Sequence, residues 1–284
     1  GISHMLEHML FNSSKNFKKG EISDMVRRRG GIENAATWTD FTYYWQLLSS
    51  ENLDFSLKTL AERVGNSLLL DKELKSERTV ILSEMQGHEN EPDSLLYYNL
   101  LAQAFKSHPY HWPTIGWQSD VENISDRQLQ NYYHTYYHPN DATLVLVGDI
   151  DKDKALPLIK KYFGPTPAAK MPRPPYTTEP RQRGERSFTI RQAGNAERVL
   201  MGWHVPSISD EDSYALNVLD QILSGGRSGR LYQALVEKQL ATGAWSMSGA
   251  RKDPALFMIG AKARQGVTAD KLEKSILDEV EKLK

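Results

Sequence analysis

The sequence predicts an α+β fold made of two related units, each an antiparallel β-sheet packed against helices, with the second unit truncated. Three observations carry this prediction. Helical and strand periodicities alternate over the first part of the chain. The stretch "GPTPAAKMPRPPYTTEPRQRGE" then holds six of the thirteen prolines and almost no apolar periodicity, as an extended linker does. Beyond it, strands, a helix and a glycine-rich turn follow in an order that echoes the close of the first segment. The expected division is a first domain over 1–163, a linker over 164–186, and a second domain over 187–284 that is incomplete at its C-terminus.

The elements are expected as follows. "ISHMLEHMLF" is helical by its spacing, and "EISDMVRRRGG" is a short helix closed at Gly30 and Gly31, where a C-cap glycine belongs. "IENAATWTDFTYYWQLLS" is rich in Thr, Tyr, Trp and Phe and predicts a β-hairpin turning near Thr39-Asp40. Helices are expected over 51–70, 71–87, 94–105 and 126–137, the last ended by His138-Pro139. "DATLVLVGDI" predicts a buried strand leading into a helix at 151–162. After the linker, strands are expected at 187–192 and 197–204, then a helix at 210–223. "TADKLEKSILDEVEKLK" closes the chain as an amphipathic helix with Leu272, Ile276, Val280 and Leu283 on one stripe. It stops without a cap, and a helix with chemical promise starts within three residues of Gly1, so both ends are expected to be cut.

Composition narrows the chemistry. The formal net charge of -1 gives no global electrostatic reason for a nucleic-acid partner. No apolar window is long enough to span a bilayer. With no cysteine, thiol nucleophiles and cysteine zinc sites are excluded, so any metal must be held by His, Asp and Glu.

The opening helix has such residues. His4, Glu7 and His8 fall at i, i+3 and i+4 and share one face among Ile2, Met5, Leu6, Met9 and Leu10. Imidazoles at i and i+4 reach one cation, and a carboxylate one turn away sits where a water on that cation would be. In a chain with eight histidines, H-x-x-E-H arises by chance on the order of one time in a hundred, and the pattern is a zinc-peptidase signature. A catalytic site of this kind needs a third protein ligand. "SERTVILSEM" offers Glu77 and Glu84, two helical turns apart on one face, and spacing alone does not choose between them.

Other features carry less. His134 and His138 are also i, i+4 but lack an acid suitably between them, and are expected at a helix end. "GGRSGR" lacks the G-x-x-x-x-G-K-[ST] pattern and is expected to turn into a helix carrying Leu231 and Leu235. Tyr132, Tyr133, Tyr136 and Tyr137 are expected in packing, since no basic groove accompanies them.

Over essentially its whole length the chain resembles the inverzincin metallopeptidases: pitrilysin, insulysin, the mitochondrial processing peptidase and their bacterial relatives. The resemblance rests on "HMLEHMLF", "GGIENAATWTDFTYYW", "ERTVILSEM", "HPYHWPTIGW", "YYHPNDATLVLVGDID" and "GGRSGRLYQALVEK", in the family's order and spacing. It implies one Zn2+ per chain, with His4 and His8 as ligands, Glu84 as the third ligand, Glu7 as general base and Glu77 as an auxiliary glutamate supporting the site. It implies that Asn34, Ala35 and Ala36 lie on an edge strand that takes peptide substrate by β-augmentation. It further implies zinc-dependent endopeptidase action on short or unfolded peptides, by a first domain lacking its first strands.

One departure bears on partners. The family places an Arg and a Tyr, seven apart, in the half opposite the zinc, within L-[FY]-Q-x-x-R-E-K-R-G-L-A-Y. Here "LYQALVEKQLATGAW" puts Val236 and Gly243 at those positions, and neither side chain donates a hydrogen bond. A small gap would bring Trp245 toward the Tyr position without restoring the Arg. The expectation is a second homologous subunit that supplies Arg and Tyr, in a heterodimer, with a homodimer also open. The alternative is a non-catalytic scaffold subunit related to processing-peptidase core proteins. A purely structural zinc site is disfavoured by the embedded Glu7. No residue fixes the compartment; a bacterial periplasm or cell envelope is expected.

Overall fold

A computed structural model describes residues 1–283. The chain forms two compact units: Gly1–Gly87 with Pro113–Tyr176, and His88–Trp112 with Thr177–Lys284. Segment 88–112, which the sequence division left in the first domain, groups with the second unit. The reason is packing. Leu101, Ala104, Phe105 and Tyr110 are buried in one cluster with Leu256 and Met258.

The first unit opens with α1 (Ile2–Met9) and α2 (Glu21–Arg28), followed by β1 (Ile32–Thr37) and β2 (Thr42–Leu47). Helices α3 (Leu53–Gly65) and α4 (Asp71–Asn90) come next; α5 (Pro92–Ala104) belongs to the second unit, and the first resumes with α6 (Gln118–Asn123), α7 (Asp126–Tyr136) and α8 (Lys152–Phe163). α2 ends as expected: Gly30 has φ +69°, and the Gly31 N–H reaches back to the Val26 carbonyl at 3.0 Å, closing the last turn. α7 starts at a capping box, in which Ser125 and Gln128 each satisfy the other's backbone N–H.

β1 and β2 form the expected antiparallel hairpin, pairing Ile32 with Leu47 through Thr37 with Thr42. Its polarity is inverted. Ile32, Trp38, Phe41, Tyr43 and Leu47 are exposed on one face. The other face carries Glu33, Thr37, Tyr44 and Gln46, whose polar groups are all taken. Glu33 accepts from buried Arg63 at 2.9 Å and from Gln46 at 2.9 Å, and Tyr44 meets the Tyr137 hydroxyl at 3.0 Å. Burying such groups costs little only when each finds a partner.

Two expected strands are absent. Residues 142–147, expected as a buried strand, form no strand, and Val145 and Val147 are 71% and 89% exposed. Segment 187–192 is likewise irregular. Strand residues need a neighbour to satisfy their backbone groups, and no described strand lies beside either segment. No described helix is long and apolar enough to cross a membrane.

The second unit adds β3 (Arg198–Val205), α9 (Asp212–Ser224), β4 (Ala241–Ser248), β5 (Ala255–Ala263) and α10 (Ala269–Glu281). Its sheet has the antiparallel order β3-β5-β4. The "GGRSGR" glycines form a short 3-10 turn at Gly226–Ser228, as a turn rather than a phosphate loop, and a π-helical stretch at Tyr232–Val236 follows. Leu231, Leu235, Leu272 and Ile276 are fully buried in one core with Phe257 and Ile259, and Val280 and Leu283 pack against it. Each buried Leu or Ile contributes roughly 1.5–3 kcal/mol, so the stripe on α10 suffices to dock that helix. Val236 packs on the same core, while Gly243 stands at the register break of β4. Trp245 pairs with Gly260 and lays its ring over it; a Cβ on Gly260 would fall 2.5 Å from that ring.

Candidate metal centre

α1 is apolar enough to be held firmly: Met5, Leu6 and Met9 are fully buried. That anchoring turns the opposite side, carrying His4, Glu7 and His8, toward α4 and β1. The two imidazoles stand edge to face with centroids 4.7 Å apart. Glu84, on α4, brings Oε2 to 3.7 Å from His4 Nε2 and 3.8 Å from His8 Nε2. Among the described residues, His4, His8 and Glu84 are the group whose ligand atoms all converge, within 4.8 Å of one another.

The donor set fits zinc. Bonds of 2.0–2.1 Å in a tetrahedron place ligand atoms about 3.3 Å apart, and Glu84 Oε2 already stands 3.7 and 3.8 Å from the two imidazole nitrogens. Two imidazole nitrogens and one carboxylate oxygen leave a fourth position open, as catalytic zinc sites do.

Glu77 occupies a different place. Its Oε2 lies 3.4 Å from His8 Nδ1, and its Oε1 accepts from Lys19 Nζ at 2.9 Å. A donor at Nδ1 fixes the tautomer that turns His8 Nε2 toward the cluster. The His8 bond, helped by Lys19, holds the Glu77 carboxyl at about 2, so it is ionised throughout the working range. Spacing on α4 left Glu77 and Glu84 equivalent; the structure separates them by which nitrogen of His8 each faces.

Burial disfavours charge on His8, but the Glu77 hydrogen bond and the nearby carboxylates of Glu84 and Glu7 outweigh it and raise its pKa above 6.5. Zinc needs the neutral imidazole. Zinc affinity is therefore expected to weaken as pH falls through that raised value, starting nearer neutrality than an unperturbed histidine would dictate. Calorimetric titration at pH 8 and pH 6 is expected to show weaker binding at pH 6; affinity independent of pH would contradict the assignment.

Glu7 is buried and reaches β1, where Thr37 Oγ1 donates to its Oε2 at 2.5 Å. Burial raises the Glu7 pKa, and the Thr37 bond partly opposes this. Thr37 lay unremarked inside "NAATWT". Strand parity could have found it, because Thr37 and Thr42 face each other across the hairpin on its polar side.

The other sequence candidates fall into place around this cluster. Trp38 N–H bonds to the Phe41 carbonyl, which sets the hairpin's hydrogen-bonding parity. On that parity Ala35 and Thr37 turn their backbone groups away from β2, to an edge with no described strand beside it. The Ala35 N–H there is held by Asn34 Oδ1 at 2.9 Å. Asn34 is exposed and Ala36 half-buried on the hairpin's outer face. His138 lies past the end of α7, with Nε2 against the His134 carbonyl at 2.8 Å. Tyr133 is buried and donates to the Val64 carbonyl at 2.8 Å, in keeping with a packing role.

An α+β chain that sets two histidines and a glutamate on its first helix against a carboxylate from a second has the layout of a metallopeptidase. Comparison with known proteins gives the family. Residues 1–117 match the description Insulinase (Peptidase family M16), and residues 123–284 match Peptidase M16 inactive domain. The second match spans more than half of the chain, and the chain belongs to peptidase family M16. His4, Glu7, His8, Glu77 and Glu84 all fall within the first match.

Zinc protease PqqE of Helicobacter pylori is 37% identical over 289 residues, covering 100% of this chain and 65% of that protein. Uncharacterized zinc protease YmxG of Bacillus subtilis is 28% identical over 264 residues, covering 91% of this chain and 63% of that protein. The chain thus spans somewhat less than two thirds of the length of these curated relatives. The crystal structure of a protease from Helicobacter pylori superposes with a TM-score of 0.96 at 35% identity, over 99% of this chain and 69% of that one.

Proposed function

We propose that this chain is the zinc-bearing part of a metalloendopeptidase that hydrolyses short or unfolded peptides, and that a partner half, carried by a homologous subunit, supplies the Arg and Tyr that Val236 and Gly243 replace here. The observation that carries the reading is the convergence of His4, His8 and Glu84 with Glu7 beside them. A structural zinc site has no use for the buried carboxylate of Glu7.

The roles follow from position. When bound, zinc supplies Lewis acidity that polarises a peptide carbonyl and acidifies water. His4, His8 and Glu84 hold it, and Glu77 orients His8. Glu7 takes the proton of the attacking water and delivers it to the leaving amine. The free edge of β1 offers the Ala35 backbone to a substrate main chain, which would displace the Asn34 side chain from the Ala35 N–H. Recognition through backbone groups suits peptides of varied sequence. The zinc-protease names of the relatives support this reading.

A second reading, a non-catalytic scaffold, draws on the inactive-domain description of residues 123–284 and on Val236 and Gly243. Peptide cleavage by the purified chain, alone and mixed with a candidate partner, with and without a chelator, separates the two. The chain alone is expected to bind zinc and cleave slowly, the mixture to cleave fast, and the chelator to stop it. Strong cleavage by the chain alone would remove the need for a partner; none in any mixture would favour the scaffold.

A further inference from the structure

We infer that Thr37 is a positioning residue for Glu7: its hydroxyl fixes one carboxylate oxygen and thereby turns the other toward the reacting water. The inference rests on the reading of Glu7 as the proton carrier. Thr37 Oγ1 lies 2.5 Å from Glu7 Oε2. A glutamate on a helix has three side-chain torsions, and the last is broad and weakly restrained. The Thr37 hydroxyl, held on a strand, removes that freedom. Threonine suits the task because its β-branched side chain is stiff at χ1.

The hydrogen bonds have a definite direction. An ionised carboxylate only accepts, so Thr37 must donate its single hydroxyl proton to Glu7. Thr42 Oγ1 lies 3.1 Å from Thr37 Oγ1, and with the Thr37 proton spent it is Thr42 that donates. The result is a relay, Thr42 to Thr37 to Glu7, laid across one non-hydrogen-bonded pair of the hairpin. It consumes Oε2 and leaves Oε1 as the oxygen that handles the proton. It also ties the base to the strand whose edge is offered to substrate. A peptide docked two residues away at Ala35 is therefore placed in fixed register with Glu7.

The test compares Thr37→Val, Thr37→Ser and Thr42→Val in the zinc-loaded full chain, assembled with the partner that gives cleavage. Thr37→Val is expected to keep its zinc and its KM while kcat falls by about 10- to 100-fold, the range of a lost hydrogen bond to a charged group. Thr37→Ser, which keeps the hydroxyl, is expected within about threefold of wild type by the same reasoning. Thr42→Val leaves the Thr37 bond to Glu7 in place and is expected to fall between them, which keeps the test open should Thr37→Val not fold. A Thr37→Val chain with unchanged kcat, or a Thr37→Ser chain as impaired as Thr37→Val, would overturn the inference. Crystal structures add a readout independent of turnover: Glu7 Oε2 is expected on Thr37 Oγ1 in wild type and rotated away in Thr37→Val. A Glu7 held identically in both would overturn it as well. A wild type that takes no zinc would sink the functional reading, while the Glu7 conformers would still decide the role of Thr37.

Discussion

Glu7→Gln is expected to leave the chain folded and zinc-loaded and to remove turnover almost entirely. The substitution preserves the shape of a buried side chain and can still bond to Thr37. It withdraws only the capacity to take and return a proton. Glu7 is not one of the three converging donors His4, His8 and Glu84, so metal content is expected to be unchanged. Loss of a general base costs typically 10²- to 10⁴-fold, and here one group serves both the attack and the departure of the amine, so the upper end applies. Steady-state cleavage of a reporter peptide by the assembled enzyme, with zinc measured on the same sample, reads both quantities. Wild-type cleavage by Glu7→Gln would remove Glu7 from the mechanism.

The two glutamates of α4 are expected to fail differently. Glu84→Ala removes one of three convergent donors and leaves two imidazoles, which do not hold zinc in this geometry. Glu77→Gln keeps all three donors and loses only the ionised partner of His8 Nδ1, beside Lys19. Partners of that kind are worth roughly 10–100-fold in metal affinity. Competition against a chelator of known affinity is therefore expected to rank wild type above Glu77→Gln and Glu77→Gln well above Glu84→Ala. The reverse order of the two variants would exchange their roles.

Much of this centre was legible because helical spacing is rigid. The i, i+4 histidines with Glu7 between them could lie only on one face, and the apolar remainder of α1 dictated that the helix would be anchored by its other side. Glu77 and Glu84 show where spacing stops. Both lie on the same side of α4, and the choice depends on the height at which α4 crosses α1, a tertiary quantity. The hairpin was legible from its Thr and aromatic content, but its inverted polarity was not. Which face of a two-stranded ribbon is buried depends on partners such as Arg63, Tyr137 and Glu7, which come from elsewhere in the chain. The segment around Val145 has strand composition without a strand neighbour, and composition alone does not build a ladder. In the second unit, the Leu272 and Ile276 stripe read true because burial against Leu231 and Leu235 follows directly from amphipathic spacing.

Zinc content of the folded chain tests the central claim most directly. Dialysed against zinc and then against metal-free buffer at pH 8, wild type is expected to retain one zinc per chain, and His8→Ala, judged folded by its circular dichroism, is expected to retain essentially none. A folded wild type without zinc, or a His8→Ala chain that keeps it, would contradict the assignment of His4, His8 and Glu84 as a metal centre.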